Sequence, residues 1–114
     1  MNYYGTDSRV TTAQRNNIMR IDNALVEEVF TPNSRTGYIL ISYAVQGEND
    51  MIFSQFLKLN VGWETILENQ FGESISLCII VKGMLVNAEF STYITQSDPP
   101  QSNAIRIVAQ MKEP

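Results

Sequence analysis

The stretch "YILISYAVQGENDMIFSQFLKL", residues 38–59, constrains the fold more than any other part of the chain. Two runs rich in β-branched and aromatic residues flank "QGEND", a segment of turn formers. That is the pattern of a β-hairpin. Alternation puts Ile39, Ile41, Tyr43 and Val45 on one face and Tyr38, Leu40, Ser42 and Ala44 on the other. In the second run Met51, Phe53, Gln55 and Leu57 oppose Ile52, Ser54, Phe56 and Lys58. A chain built around such a hairpin must find further strands to cover its apolar face.

Upstream, "IMRIDNALVEEVF" at 18–30 fits two periods. Ile18, Ile21, Leu25 and Val29 have helical spacing, while Ala24, Val26, Glu28 and Phe30 alternate weakly. We read a strand, because the turn-rich "TPNSRTG" at 31–37 leads straight into the hairpin. The helical alternative makes an α+β domain with a four-stranded antiparallel sheet. Downstream, "VGWETILENQFGE" at 61–73 places Trp63, Ile66, Leu67 and Gln70 or Phe71 at helical spacing with Gly72 as a C-terminal stop. The spacing predicts a helix. Residues 74–94 are β-rich, 95–103 with two prolines form a loop, and "AIRIVAQM" at 104–111 alternates as a last strand. Within "VKGMLVNAEF", Gly83 either bends a long strand or ends a turn from which a new strand starts.

Residues 1–17 are polar and aperiodic and read as a flexible arm, with 18–114 as the folded domain. Arg9, Arg15 and Arg20 give the arm and its junction a weak basic stripe. The whole chain has net charge −4, which argues against a broad electrostatic footprint for duplex DNA. No histidine is present, which removes the commonest metal ligand and the usual general base near neutral pH. Glu27 and Glu28 are adjacent, so on a regular strand they point to opposite faces and cannot act as a pair. No metal site, cofactor motif or catalytic constellation is visible, and the expectation is a protein that is not an enzyme. The lone cysteine, Cys78, sits in "ISLCIIV" and reads as a small buried hydrophobe. Neither a signal peptide nor a membrane span stands out, so a soluble cytoplasmic protein is expected.

The order is strand, strand, strand, helix, strand, strand. It is the order of the OB-fold, a five-stranded Greek-key barrel, here all-β with one helix between the third and fourth strands. In this frame "TGYILISYAV", "MIFSQFLKL", "KGMLVNAEF" and "AIRIVAQM" together resemble the second to fifth strands of the bacterial and phage single-stranded DNA-binding family. Gly83, Leu85 and Phe90 stand where that family places a glycine, an apolar residue and an aromatic. The likeness spans residues 18–111 and is one of pattern and order. Val86, Asn87, Ala88 and Glu89 stand where the family has basic residues, and the chain stops at Pro114 without the family's long acidic-tipped tail.

The resemblance implies binding of single-stranded DNA without sequence specificity, with no cofactor. Bases stack on aromatics and cations contact phosphates. The residues that would carry this are Tyr38, Phe53, Phe90 and Tyr93 as aromatics, with Lys58, Lys82 and Arg106 as cations. Phe30, Tyr43 and Phe56 go to the core or to a subunit contact. The resemblance further implies a homo-oligomer, no membrane association, and an accessory role beside replication or recombination proteins of a phage or plasmid. The rival reading is an OB-like module that binds protein rather than nucleic acid, a scaffold subunit or an inhibitor. The negative charge and the Val86–Glu89 segment, which has no basic residue, favour it.

Overall fold

A computed structural model describes residues 9–13 and 17–112. Seven strands are ordered along the chain: β1 Arg9–Ala13, β2 Ile18–Phe30, β3 Gly37–Gln46, β4 Ile52–Val61, β5 Ile66–Asn69, β6 Leu85–Ser91 and β7 Gln101–Gln110. They form one sheet. β2 pairs antiparallel with β3 and with β6, β3 with β4, and β6 with β7. β4 meets β7 in parallel over Lys58–Asn60 and Gln101–Asn103, so the sheet closes on itself as a ring β2-β3-β4-β7-β6. β1 and β5 lie outside the ring, on β2 and β7. Among the described residues, no helix is long and apolar enough to cross a membrane.

Strand alternation fills the ring. β3 and β4 turn Ile39, Ile41, Leu57, Leu59 and Val61 inward, all buried, and leave Tyr38, Leu40, Phe56 and Lys58 on the outer face. β6 buries Val86, Ala88 and Phe90, and β7 buries Ala104, Ile107 and Ala109. Across the ladder from Phe90, β7 carries the small Ala104.

β2 is a strand, as read, but it departs from simple alternation in two places. Its register against β6 shifts between Ile21 and Ala24, where Asn23 adopts φ 58°. Its register against β3 shifts between Val26 and Glu28. Such bulges insert a residue and bend the strand. The first is held by polar contacts: the Asn87 side-chain oxygen accepts from the Asn23 backbone N–H at 2.9 Å, and the Gln110 amide donates to the side-chain oxygens of Asn23 and Asn87. The buried residues of β2 therefore fall at Ile21, Ala24 and Val26, which matches neither strict alternation nor the helical face Ile18, Ile21, Leu25 and Val29, since Leu25 is exposed.

The helix expected over 61–73 is not formed. Thr65 N–H closes a turn on the Gly62 carbonyl at 3.1 Å, and Ile66–Asn69 runs parallel to Arg106–Ala109 as β5. Asn69 then accepts from the N–H groups of Phe71 and Glu73 at 2.9 and 3.0 Å, and Gly72 takes φ 81° in the turn that follows. Of the supposed helical face only Leu67 is buried, while Trp63, Ile66 and Phe71 are exposed. Pairing with β7 outweighed helical propensity. Between β4 and β6 the helical content is a 3-10 turn, Leu77–Ile79. Leu77 and Ile80 from this connection join the core.

Four further expectations are corrected. Gly83 does not bend a long strand: it lies at φ 93° in a turn where Met84 N–H donates to the Val81 carbonyl at 3.2 Å, and β6 starts after it. Cys78 is exposed, with its sulfur 3.4 Å from the Thr31 hydroxyl, because the 3-10 turn points Leu77 inward instead. The loop read over 95–103 ends earlier, since Gln101–Asn103 already belong to β7. Part of the segment read as a flexible arm, Arg9–Ala13, is β1, paired with Ile18–Asp22; the rest of that reading, including Arg15, lies outside the described residues.

Candidate functional site

The outer face of β2, β3 and β4 groups the aromatic side chains of Phe30, Tyr38 and Phe56 with a cation, Lys58. The turn at 31–36 brings the end of β2 back beside β3, so that Phe30 faces Tyr38 across the ladder. Their rings stack with centroids 5.4 Å apart and planes 28° from parallel. On β4 the Lys58 ammonium lies 4.0 Å from the Tyr38 ring centroid, a cation–π contact. Phe56 is on the same face of β4 as Lys58 and opposite Ser42. Phe30 is 52% exposed and Phe56 45%.

Two carboxylates border this patch. Tyr38 Oη donates to Glu28 Oε1 at 2.8 Å, and Ser42 Oγ donates to Glu27 Oε2 at 2.6 Å. Tyr38 and Ser42 share a face of β3, so the β2 bulge has brought both glutamates to one side. This corrects the expectation that neighbours in sequence must point apart. The hydrogen bond to the Glu28 carboxylate holds the Tyr38 hydroxyl protonated to higher pH than a free tyrosine, since ionisation would set two anions against each other. In a titration followed by tyrosine ring-carbon NMR shifts, Tyr38 is expected to ionise above the ordinary value of about 10, and Glu28→Gln to bring its midpoint down. An unchanged midpoint in the variant would remove the carboxylate as the cause.

The other residues singled out in the sequence are dispersed. Phe90 is 1% exposed, between Met19 of β2 and Ala104 of β7, so its ring is closed to any base. The alternation Val86, Ala88, Phe90 turns it inward, which corrects its assignment to a binding face. Phe53 is exposed at the hairpin tip, where its ring covers Gly47, and it points to the opposite face from Phe56. Tyr93 is 91% exposed in the loop between β6 and β7. Lys82 is exposed in the turn before β6, beside a cleft of about 1020 Å³ that also takes in Lys112, Val81 and Leu85.

Arg106 is tied to Glu68, its Nε donating at 3.0 Å. It belongs to a row that crosses four strands with alternating charge: Arg20 of β2, Glu89 of β6, Arg106 of β7 and Glu68 of β5. Arg35 donates to the carbonyl oxygens of Trp63 and Thr65. These guanidinium groups are committed within the fold, whereas Lys58 is presented on an aromatic patch. Phe30 and Phe56 are the residues that sequence reasoning assigned elsewhere. Phe56 was legible, because it shares its strand face with Lys58; Phe30 was not, because its direction depends on the bulge.

No family model, curated protein or solved structure matches this chain.

Proposed function

We propose that the chain is an OB-fold protein that binds single-stranded nucleic acid, DNA in the first instance, chiefly by stacking. The ring order supports the fold: its first strand pairs with its second and fourth, and its third with its fifth in parallel. In that fold, oligonucleotides lie on the face of the second and third strands and against the loops that follow the first and fourth. Here those elements are β3 and β4, the 31–36 turn with Arg35, and the 92–100 loop with Tyr93. The observation that carries the reading is the Phe30–Tyr38 stack with Lys58 over it and Phe56 on the same face. An accessory role in replication, recombination or transfer of a phage or plasmid remains part of the proposal and rests on the resemblance in sequence pattern.

The charge layout sets what kind of binding this is. Arg20 and Arg106 are neutralised by acids, and Glu27 and Glu28 border the patch. Few phosphates can be neutralised, so aromatic contact must supply most of the affinity. Each stacked base is worth about 1–3 kcal/mol by alanine substitution. The salt slope is about −0.7 per phosphate neutralised on a single strand, so a slope near that of one or two contacts is expected.

The test is fluorescence anisotropy of a labelled oligothymidine at low and moderate salt. Binding with a shallow salt slope is expected, weakened roughly 5- to 150-fold by Tyr38→Ala or Phe56→Ala, the equivalent of one lost stack. No binding at low salt would end this reading. The internal pairing of Arg20 and Arg106 favours a second one, an interaction module for another protein, and a negative anisotropy result would turn the search to it.

A further inference from the structure

We propose that the free edge of β4, residues Ile52–Phe56, joins two copies of this chain by antiparallel strand pairing about a two-fold axis at Ser54. β4 is paired with β3 along its whole length, from Gln46 opposite Ile52 to Gly37 opposite Val61. On its other side only Lys58–Asn60 meet β7. Residues 52–57 therefore have one neighbouring strand among the described residues. The strand projects beyond the ring there, and Ile52 through Phe56 are exposed on both faces.

The backbone directions follow from the two ends. Gly47 N–H donates to the Met51 carbonyl at 2.7 Å, so the odd-numbered residues of this strand turn their polar groups toward β3. Lys58 N–H donates to the Pro100 carbonyl at 2.9 Å, so the even-numbered residues turn theirs the other way. Ile52, Ser54 and Phe56 thus offer their N–H and C=O groups at the open edge. Protein edges are ordinarily blunted by charge, proline or a bulge. From Met51 to Leu57 the sequence MIFSQFL has none of the first two, and the β3–β4 register runs without a shift. β5, at the far end of the sheet, is four residues long and carries Glu68.

The symmetry then selects a register. A two-fold axis normal to the sheet keeps each strand face on its own side, so residues meet partners of the same parity. With Ser54 on the axis, Ile52 faces Phe56 of the other copy, Phe56 faces Ile52, and Phe53 faces Gln55. The even-numbered pairs coincide with the open backbone groups, so each exchanges two hydrogen bonds. The Ile–Phe pairs are of the aromatic and β-branched kind that stabilises sheets. Moving the axis to Gln55 sets Ile52 against Lys58, whose N–H is already used by Pro100. Moving it to Phe53 shortens the overlap. The uncharged edge and its apolar residues match their own copy, which is why a second copy is the occupant.

The experiment needs no nucleic acid, so its outcome is separate from that of the binding assay. Sedimentation velocity from low micromolar concentration to the solubility limit is expected to give a monomer–dimer equilibrium. Ser54→Pro removes an edge N–H while leaving the β3 ladder intact, and Ile52→Lys sets a charge against Phe56. Both are expected to give monomers with an unchanged circular dichroism spectrum. In a Cys78→Ser background, Ser54→Cys is expected to form an interchain disulfide on mild oxidation, because hydrogen-bonded partners sit about 5.5 Å apart between Cα atoms, within disulfide reach. Ile66→Cys, on β5, is the control and is expected to form none. A wild-type chain that stays monomeric at every concentration overturns the proposal. So does a dimer that survives both folded variants, or cross-linking that is as fast at residue 66 as at residue 54.

Discussion

Gly37→Ala is expected to destabilise the protein by at least about 3 kcal/mol and to lower Tm by on the order of 10 °C or more. The reasons are local and add up. Gly37 opens β3 at φ 152°, a conformation that side chains rarely tolerate. A Cβ there would also lie far inside contact distance of the Phe30 carbonyl oxygen and 3.1 Å from Leu77 Cδ2. A carbonyl on a paired strand cannot move aside without disturbing the ladder between β2 and β3. The cost therefore falls on the turn that sets Phe30 beside Tyr38, and on Leu77, which joins the 3-10 turn to the core. Gly62→Ala is the control, since nothing lies within 4 Å of its added carbon. Thermal melts of both variants decide the matter: a Gly37→Ala protein that melts with Gly62→Ala and the wild type would mean that the close approach at Phe30 is not there in solution.

The same turn marks where the sequence was informative and where it was not. Strands β3 and β4 were legible because alternation and turn chemistry agree; parity also sets Phe56 beside Lys58, yet the sequence reading sent Phe56 to the core or a subunit contact, and it is exposed. β2 was harder. Its bulges at Asn23 and beside Glu27 break the period, so the buried set Ile21, Ala24 and Val26 departs from strict alternation and the two glutamates end on one side. A bulge is fixed by partners distant in sequence, here Asn87 and Gln110, and no local pattern announces them. The segment 61–73 failed for a related reason. Its apolar residues have helical spacing, yet only Leu67 finds the core, because parallel pairing with β7 is a contact across about forty residues that spacing cannot express. The charged row from Arg20 to Glu68 is likewise visible only after four strands are in register, and it removes Arg106 from the set of free cations.

Phe90 separates stability from binding most sharply. It is the largest of the fully buried side chains, and Phe90→Ala is expected to cost about 3–5 kcal/mol. That is a large part of the roughly 5–15 kcal/mol that holds a domain together, so the urea midpoint should fall steeply. Phe90→Leu fills most of the same space and should cost far less. Had Phe90 been a stacking platform, both variants would lose the ring and bind oligothymidine more weakly while remaining as stable as the wild type. Its burial between β2 and β7 predicts the reverse. Phe90→Leu should bind as the wild type does in conditions where it is fully folded, and Phe90→Ala should lose binding only in proportion to the fraction unfolded. Tyr38→Ala and Phe56→Ala should show the opposite pattern, with the urea midpoint nearly kept and the affinity reduced. Measuring midpoint and affinity on the same four variants tests the placement directly. A Phe90→Leu protein with a native midpoint and impaired binding would move the contact surface from the β3–β4 face to β6.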